Sequence, residues 1–128
     1  MATLDGVHPE LTARVTRILA AMDALGYPMV VTAGVRTVAE QQRLYAQGRT
    51  APGDVVTHCD GVQRPSPHQP KADGFGHAVD CAFMVNGAPS WNTKLPWACY
   101  GAMALALGLV WGGQFKSIVD MPHVEWRG

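Results

Sequence analysis

The sequence carries no excess of charge of either sign: ten Lys and Arg side chains are matched by ten Asp and Glu, for a formal net charge of zero. Domains that hold nucleic acid through bulk charge normally carry a basic excess, so that class is set aside. No apolar run approaches the ~20 residues that cross a bilayer, which argues against stable membrane insertion through a helix. The opening stretch MATLDGVHPELTARV lacks a basic patch followed by an apolar segment, so no secretory signal is expected. Cysteine is scarce. Cys59, Cys81 and Cys99 are odd in number and have no C-x-x-C spacing. A disulfide framework is therefore not expected, and the chain reads as a thiol protein made in a reducing cytoplasm.

Core-forming material is plentiful. Of 128 residues, 48% are hydrophobic and 16% charged, which predicts one packed domain over residues 1–128. Val7, Leu11, Val15, Ile18, Leu19, Met22 and Leu25 recur at helical spacing, with Pro9 suited to a first turn and Gly26 to a stop. MVVTAG, residues 29–34, reads as a buried strand. Thr37 and Glu40 have the spacing of a capping box that opens a helix running to about Ala46. Residues 49–76 are rich in Gly, Pro, Asp and His and have no helical period. A loop that long in a small domain usually serves function or is disordered. His77–Val85 reads as a strand, Asn86-Gly87 as a hairpin turn, and residues 96–107 as an Ala-rich helix. LVWGG and the terminal PHVEW are two further short strands. The predicted class is α+β, a small antiparallel sheet flanked by helices.

Two polar constellations stand out. One is Ser66-x-His68, followed after a gap by Gly76-x-Ala78-x-Asp80; the other is Asp120-x-x-His123-x-Glu125. Two histidines and one aspartate suit a catalytic zinc, with one coordination position left for water. Strand alternation places Asp80 with Ala82 and Met84 on one face, and His77 with Val79, Cys81 and Phe83 on the other. His77 and Asp80 therefore point apart, whereas loop residue His68 can reach the Asp80 face. His123 and Glu125 share a face, so Glu125 lies near any metal held by His123. Arg36, between a buried strand and a capped helix, is placed to fix a carboxylate or polarise a carbonyl. The pattern lacks the specificity of H-E-x-x-H.

Four segments in order, GVRTVAEQQRLYAQGRT, SPH, GHAVD, and DMPHVEW after LGLVWGG, resemble a known superfamily. It comprises the VanY-like D,D-carboxypeptidases and L-alanyl-D-glutamate endopeptidases, zinc peptidases of bacterial cell-wall peptides, and the likeness is strongest to its phage endolysin branch. The resemblance implies a hedgehog/D,D-peptidase-like fold with the zinc site on one sheet face. It implies zinc ligands His68, Asp80 and His123, a general base at Asp120, and substrate contacts from Arg36 and Gln41. Glu125 is the alternative base, or it orients a ligand or binds substrate. The family pattern S-x-H-x-x-G-x-A-x-D, counted back from Asp80, lands on Asp73 rather than a histidine. Either Asp73 replaces the ligand or the loop carries an insertion. Ser66 precedes His68 as the motif requires, whereas Lys71 occupies that place before Asp73, which favours the insertion.

His8, His58 and His77 read as structural or exposed, Cys81 and Cys99 as core, and Cys59 as a loop thiol. Trp97, Tyr100, Met103 and Leu107 read as core; Trp111 and Trp126 line a groove or pack. The expected activity is hydrolysis of the L-alanyl–D-glutamate bond in the peptidoglycan stem peptide by a monomeric phage endolysin. It would be made in the host cytoplasm and admitted to the wall through a separate pore, with no wall-binding domain of its own. D-alanyl-D-alanine cleavage, or an inactive zinc-containing wall-binding or structural module, are the alternatives.

Overall fold

In the computed structural model, which describes residues 2–128, α1 spans Pro9–Ala24. Pro9 lacks only an N–H that a first turn would leave unpaired. The preceding imidazole replaces one missing acceptor: the Glu10 N–H donates to His8 Nδ1 at 3.1 Å. Leu11, Val15, Ile18 and Met22 are buried as the periodicity predicts. Val7 and Leu25 fall outside the helix. Val7 is nevertheless 4% exposed, bridged to Gly76, while Leu25 at the C-terminal cap is 56% exposed.

β1 (Met29–Ala33) pairs antiparallel with β2 (Ala78–Val85), and their register shifts between Val31 and Ala33. α2 (Val38–Ala46) opens on the predicted capping box: Glu40 N–H donates to Thr37 Oγ1 at 3.1 Å, and Thr37 N–H to Glu40 Oε1 at 2.9 Å. β3 (Ala88–Ser90) folds back on β2 through Asn86 and Gly87, both at positive φ, as this hairpin turn requires. α3 is Trp97–Ala106, β4 Val110–Trp111 and β5 His123–Glu125. Among the described residues the antiparallel sheet runs β1-β2-β5-β4, with β3 also on β2. The fold is α+β. No helix among these residues is long and apolar enough to cross a membrane.

The strand expected over LVWGG is shorter, because Gly112 turns into a 3-10 segment, Gly112–Gln114. There Asp120 N–H donates to the Gly112 carbonyl at 2.9 Å, and a Cβ on Gly112 would collide with the Asp120 carbonyl. This close approach aims the segment before β5 over the sheet.

The core occupies one sheet face. Val79, Cys81 and Phe83 of β2 and Val124 of β5 pack with α1 and with Trp97, Tyr100 and Ala104 of α3. Phe83 meets Trp97 edge-on at 4.7 Å between ring centroids. Burying each large apolar side chain here stabilises the fold by about 1.5–3 kcal/mol. Burial also pushes the Cys81 thiol up to about 12, which leaves it an inert core residue. The opposite face of β2 carries Asp80.

Candidate metal centre and cleft

Asp80 and His123 are directly paired across β2 and β5, with Ala78 opposite Glu125. Pairing puts Asp80, His123 and Glu125 on one face, as alternation predicts. His68 arrives from the long loop, which has no helix or named strand yet is tightly tied. Arg36 N–H donates to the His68 carbonyl at 2.9 Å, His77 N–H to the Pro67 carbonyl at 2.8 Å, and Gly76 N–H to the Gly6 carbonyl at 3.0 Å.

His68 Nε2 lies 3.3 Å and His123 Nδ1 3.2 Å from Asp80 Oδ1. Donor atoms of the three residues all lie within 4.8 Å of one another. Metal–donor bonds of 2.0–2.1 Å at tetrahedral angles separate donors by roughly 3.3 Å, so the two measured edges fit such an ion. The far nitrogens fit as well. His68 Nδ1–H donates to the Gly34 carbonyl at 2.9 Å, and His123 Nε2–H to Glu125 Oε1 at 2.7 Å. With their protons on these far nitrogens the two rings could each turn a lone pair to an ion beside Asp80, the arrangement that orients metal-binding histidines, once the His123 proton that faces Asp80 has left. The cluster could hold a divalent cation.

Electrostatics agree. Burial works against the charged Asp80 carboxylate, but hydrogen bonds from His123 and His68 hold it far below the usual carboxylate range. Burial likewise lowers His123, yet its bonds to Asp80 and Glu125 outweigh that and raise it to about 9. Burial raises Glu125, and bonds from His123 and Arg127 more than offset this, bringing it to about 2. Raised His123 stabilises the chelated protein fully below pH 6.5 and loses that contribution as pH rises through about 9. Lowered Glu125 contributes above pH 4.5 and is lost as pH falls toward about 2. Because an incoming metal must displace the His123 proton, zinc affinity should rise about tenfold per pH unit between pH 7 and 9, then level off. Zinc titrations across that range check this; a flat profile would contradict it.

The neighbouring predicted residues separate by role. Asp120 Oδ2 stands 3.8 Å from His123 Nδ1, and its side chain is 42% exposed. Burial, followed by the Asp80 charge, raises its carboxyl. Glu125 differs: its side chain is 8% exposed, with one oxygen on His123 and the other accepting from Arg127 Nε at 2.8 Å. Both oxygens thus serve His123 and Arg127, which fits the expectation that Glu125 orients a ligand, and the residue also lines the cleft. Arg36 Nη2 lies 3.7 Å from Asp80 Oδ2, and Arg36 Nη1 donates to Gln41 Oε1 at 2.9 Å. Gln41 was expected to bind substrate. It is instead fully buried, its amide spent on Arg36, on the Cys59 carbonyl at 2.9 Å and on Thr57 Oγ1 at 3.4 Å. It clasps the long loop to α2 and steadies Arg36.

Asp73 is elsewhere. Its carboxylate accepts from the Phe75 N–H at 2.9 Å and from His77 Nε2–H at 2.7 Å, so it is not an alternative to His68. His8 Nε2 is 4.0 Å from the same carboxylate. His8 Nδ1 is an acceptor for Glu10, so neutral His8 keeps its proton on Nε2 and offers no lone pair there. We read this second group as a clasp that ties the inserted loop to α1 and β2, not as a metal centre.

The cluster opens into a cleft of about 530 Å³. Val55, Val56 and His58 of the long loop form one wall, and Phe115, Ser117 and Val119 the other. His58 Nε2 and Ser117 Oγ meet at 2.9 Å across it. None of these wall residues was singled out as a contact; the only signal was the length of the loop.

Fold and cleft together define an α+β domain with a candidate metal site, in which two imidazoles and a carboxylate converge beside a second carboxylate, that of Asp120. Residues 61–126 match a peptidase family described as D-alanyl-D-alanine carboxypeptidase, and the chain belongs to it. It is 34% identical to the peptidoglycan L-alanyl-D-glutamate endopeptidase CwlK of Bacillus subtilis, over 98% of this chain and 76% of the relative. The structure resembles the L-Ala D-Glu endopeptidase ChiX of Serratia marcescens, with TM-score 0.57, 28% identity, and coverage of 95% and 81% of the two chains. It also resembles a vancomycin-resistance D,D-pentapeptidase VanY variant in complex with Zn(II), with TM-score 0.64, 17% identity, and coverage of 100% and 78%.

Proposed function

We propose that the protein is a zinc-dependent peptidase that cleaves the L-alanyl–D-glutamate bond of the peptidoglycan stem peptide. The observation that carries the reading is the His68–Asp80–His123 cluster, with donor edges of 3.2 and 3.3 Å and both far imidazole nitrogens satisfied. Two endopeptidases of that bond among the similar proteins support the choice of bond. When bound by these three residues, zinc supplies Lewis acidity and makes a water more acidic.

The chain's own groups supply the rest. Asp120 is free, beside the cluster, and has a raised carboxyl; it takes a proton from the attacking water and hands it to the leaving amine. Arg36, held by Gln41, points its guanidinium at the cluster, where it stabilises negative charge developing on the scissile carbonyl oxygen. Glu125 positions His123 and fixes its tautomer. The setting we propose is a phage endolysin, made in the host cytoplasm and admitted to the wall by a separate pore-forming protein. The likeness of the GRTAPGDVVT segment to that branch supports it.

Mass spectrometry of fragments released from purified peptidoglycan tests the reading. The expected products carry a new D-glutamyl amine terminus, and a chelator stops their release. Release of a terminal D-alanine alone would move the assignment to the carboxypeptidase activity described for the family. No release at all would sink the enzymatic reading in favour of a wall-binding module.

A further inference from the structure

We infer that Arg64 is a specificity-determining residue that holds the free carboxylate of the D-glutamyl residue on the leaving side of the scissile bond. The inference rests on the L-alanyl–D-glutamate reading and adds a recognition element to it. Two arginines line the cleft, Arg36 and Arg64. Arg36 is already engaged by Gln41 and Asp80. The Arg64 guanidinium has no hydrogen-bond or ion-pair partner among the described residues, although it is exposed at a cleft that also contains Asp80, Asp120 and Glu125. Asp80 and Glu125 are engaged by the histidines and Arg127, and the Asp120 carboxylate remains to repel an anionic substrate, so an anion settles best beside the unengaged cation of the cleft.

Its backbone is fixed. Asp60 Oδ1 accepts the N–H groups of both Val62 and Arg64 at 2.9 Å, and Gly61 N–H donates to the Arg64 carbonyl at 3.2 Å. The same turn is anchored from below by two buried amides. Gln69 Nε2 donates to the Gly61 carbonyl at 2.9 Å, and Gln41 Nε2 to the Cys59 carbonyl at 2.9 Å. Pro65 and Pro67 then stiffen the short path to His68, which can span at most roughly 14 Å. The turn fixes where the Arg64 side chain starts, one short segment from the cluster, and leaves its guanidinium free for a ligand.

Substrate chemistry supplies that ligand. Glutamate has two carboxyl groups and only one continues the peptide, so the other stands as a free anion on the residue whose nitrogen is released. A guanidinium presents a planar fork that matches a carboxylate and grips it with two parallel hydrogen bonds, whereas a carboxamide satisfies that fork poorly. Arg64 therefore distinguishes stem peptides with a free D-glutamyl carboxylate from those in which it is amidated.

The test crosses a protein change with a substrate change. Zinc-loaded wild type, Arg64→Ala and Arg64→Lys are assayed on two synthetic peptides that differ only in carboxylate against carboxamide at that position. Arg64→Ala should lower kcat/KM about tenfold on the carboxylate peptide, mainly through KM, and change the amide peptide less than twofold; Arg64→Lys should recover part of the loss. Zinc content and melting temperature should match wild type. Equal losses on both peptides, or none on the carboxylate peptide, overturn the inference. If wild type itself cuts neither peptide while cutting peptidoglycan elsewhere, the assignment of the bond has failed, and the role given to Arg64 falls with it.

Discussion

His68→Ala should purify without stoichiometric zinc and release no peptide above background. The two losses come together because His68 supplies the one donor that the sheet cannot. Asp80 and His123 are paired strand neighbours and survive the substitution in place, but two protein donors hold zinc far more weakly than three. Removing the imidazole also leaves the Gly34 carbonyl without its 2.9 Å donor and opens a gap at a site that is 2% exposed. Since metal binding is coupled to folding, the melting temperature should stop responding to added zinc. Elemental analysis beside a cell-wall release assay decides the matter. Stoichiometric zinc in this variant would remove His68 from the ligand set. The position of Asp73, on the far side of the clasp with His77, means that it could not be the substitute.

Asp120→Asn should keep its zinc and lose kcat by about 100-fold or more, the usual contribution of a positioned general base. The change keeps the shape and removes the proton acceptor, so KM and metal content should hardly move. Glu125→Gln is the contrasting variant. It leaves the Asp120 carboxylate intact but weakens the bond that orients His123, so its main effect should be a 10- to 100-fold loss of zinc affinity. Activity in Glu125→Gln should return with excess zinc, whereas Asp120→Asn stays slow at any zinc concentration. Near-normal turnover by Asp120→Asn would transfer the proton-accepting role. Glu125 is a poor recipient, because both its oxygens are engaged and its carboxyl is brought down to about 2.

Much of this site could be read along the chain. Strand alternation alone joined His123 to Glu125, and the pairing of Ala78 with Glu125 and of Asp80 with His123 bears out that geometry, whereas β2 begins at Ala78, one residue after the expected His77. The Thr37–Glu40 box needed nothing beyond its own turn and formed as read. The insertion that separates His68 from Asp80 blurred the ligand spacing. The answer lay in contacts between distant segments: Arg36 with His68, His77 with Pro67, and Asp73 with His77. Gln41 was assigned to the substrate because a residue type in a motif does not say whether its amide faces a cleft or a loop carbonyl. The resemblance put Asp120 before Glu125 as the base, but the order of residues does not say which of the two acids flanking the same histidine is engaged by a neighbour such as Arg127.

Helical stripes, caps, the hairpin turn and the two faces of each strand are consequences of neighbours a few residues apart, and the order of residues was enough to specify them. Which loop histidine meets the sheet, which acid keeps a free oxygen, and which walls enclose the cleft depend on pairing between segments tens of residues apart. Such pairing is settled by the competition of every buried donor for an acceptor across the whole fold, and no local pattern records its outcome.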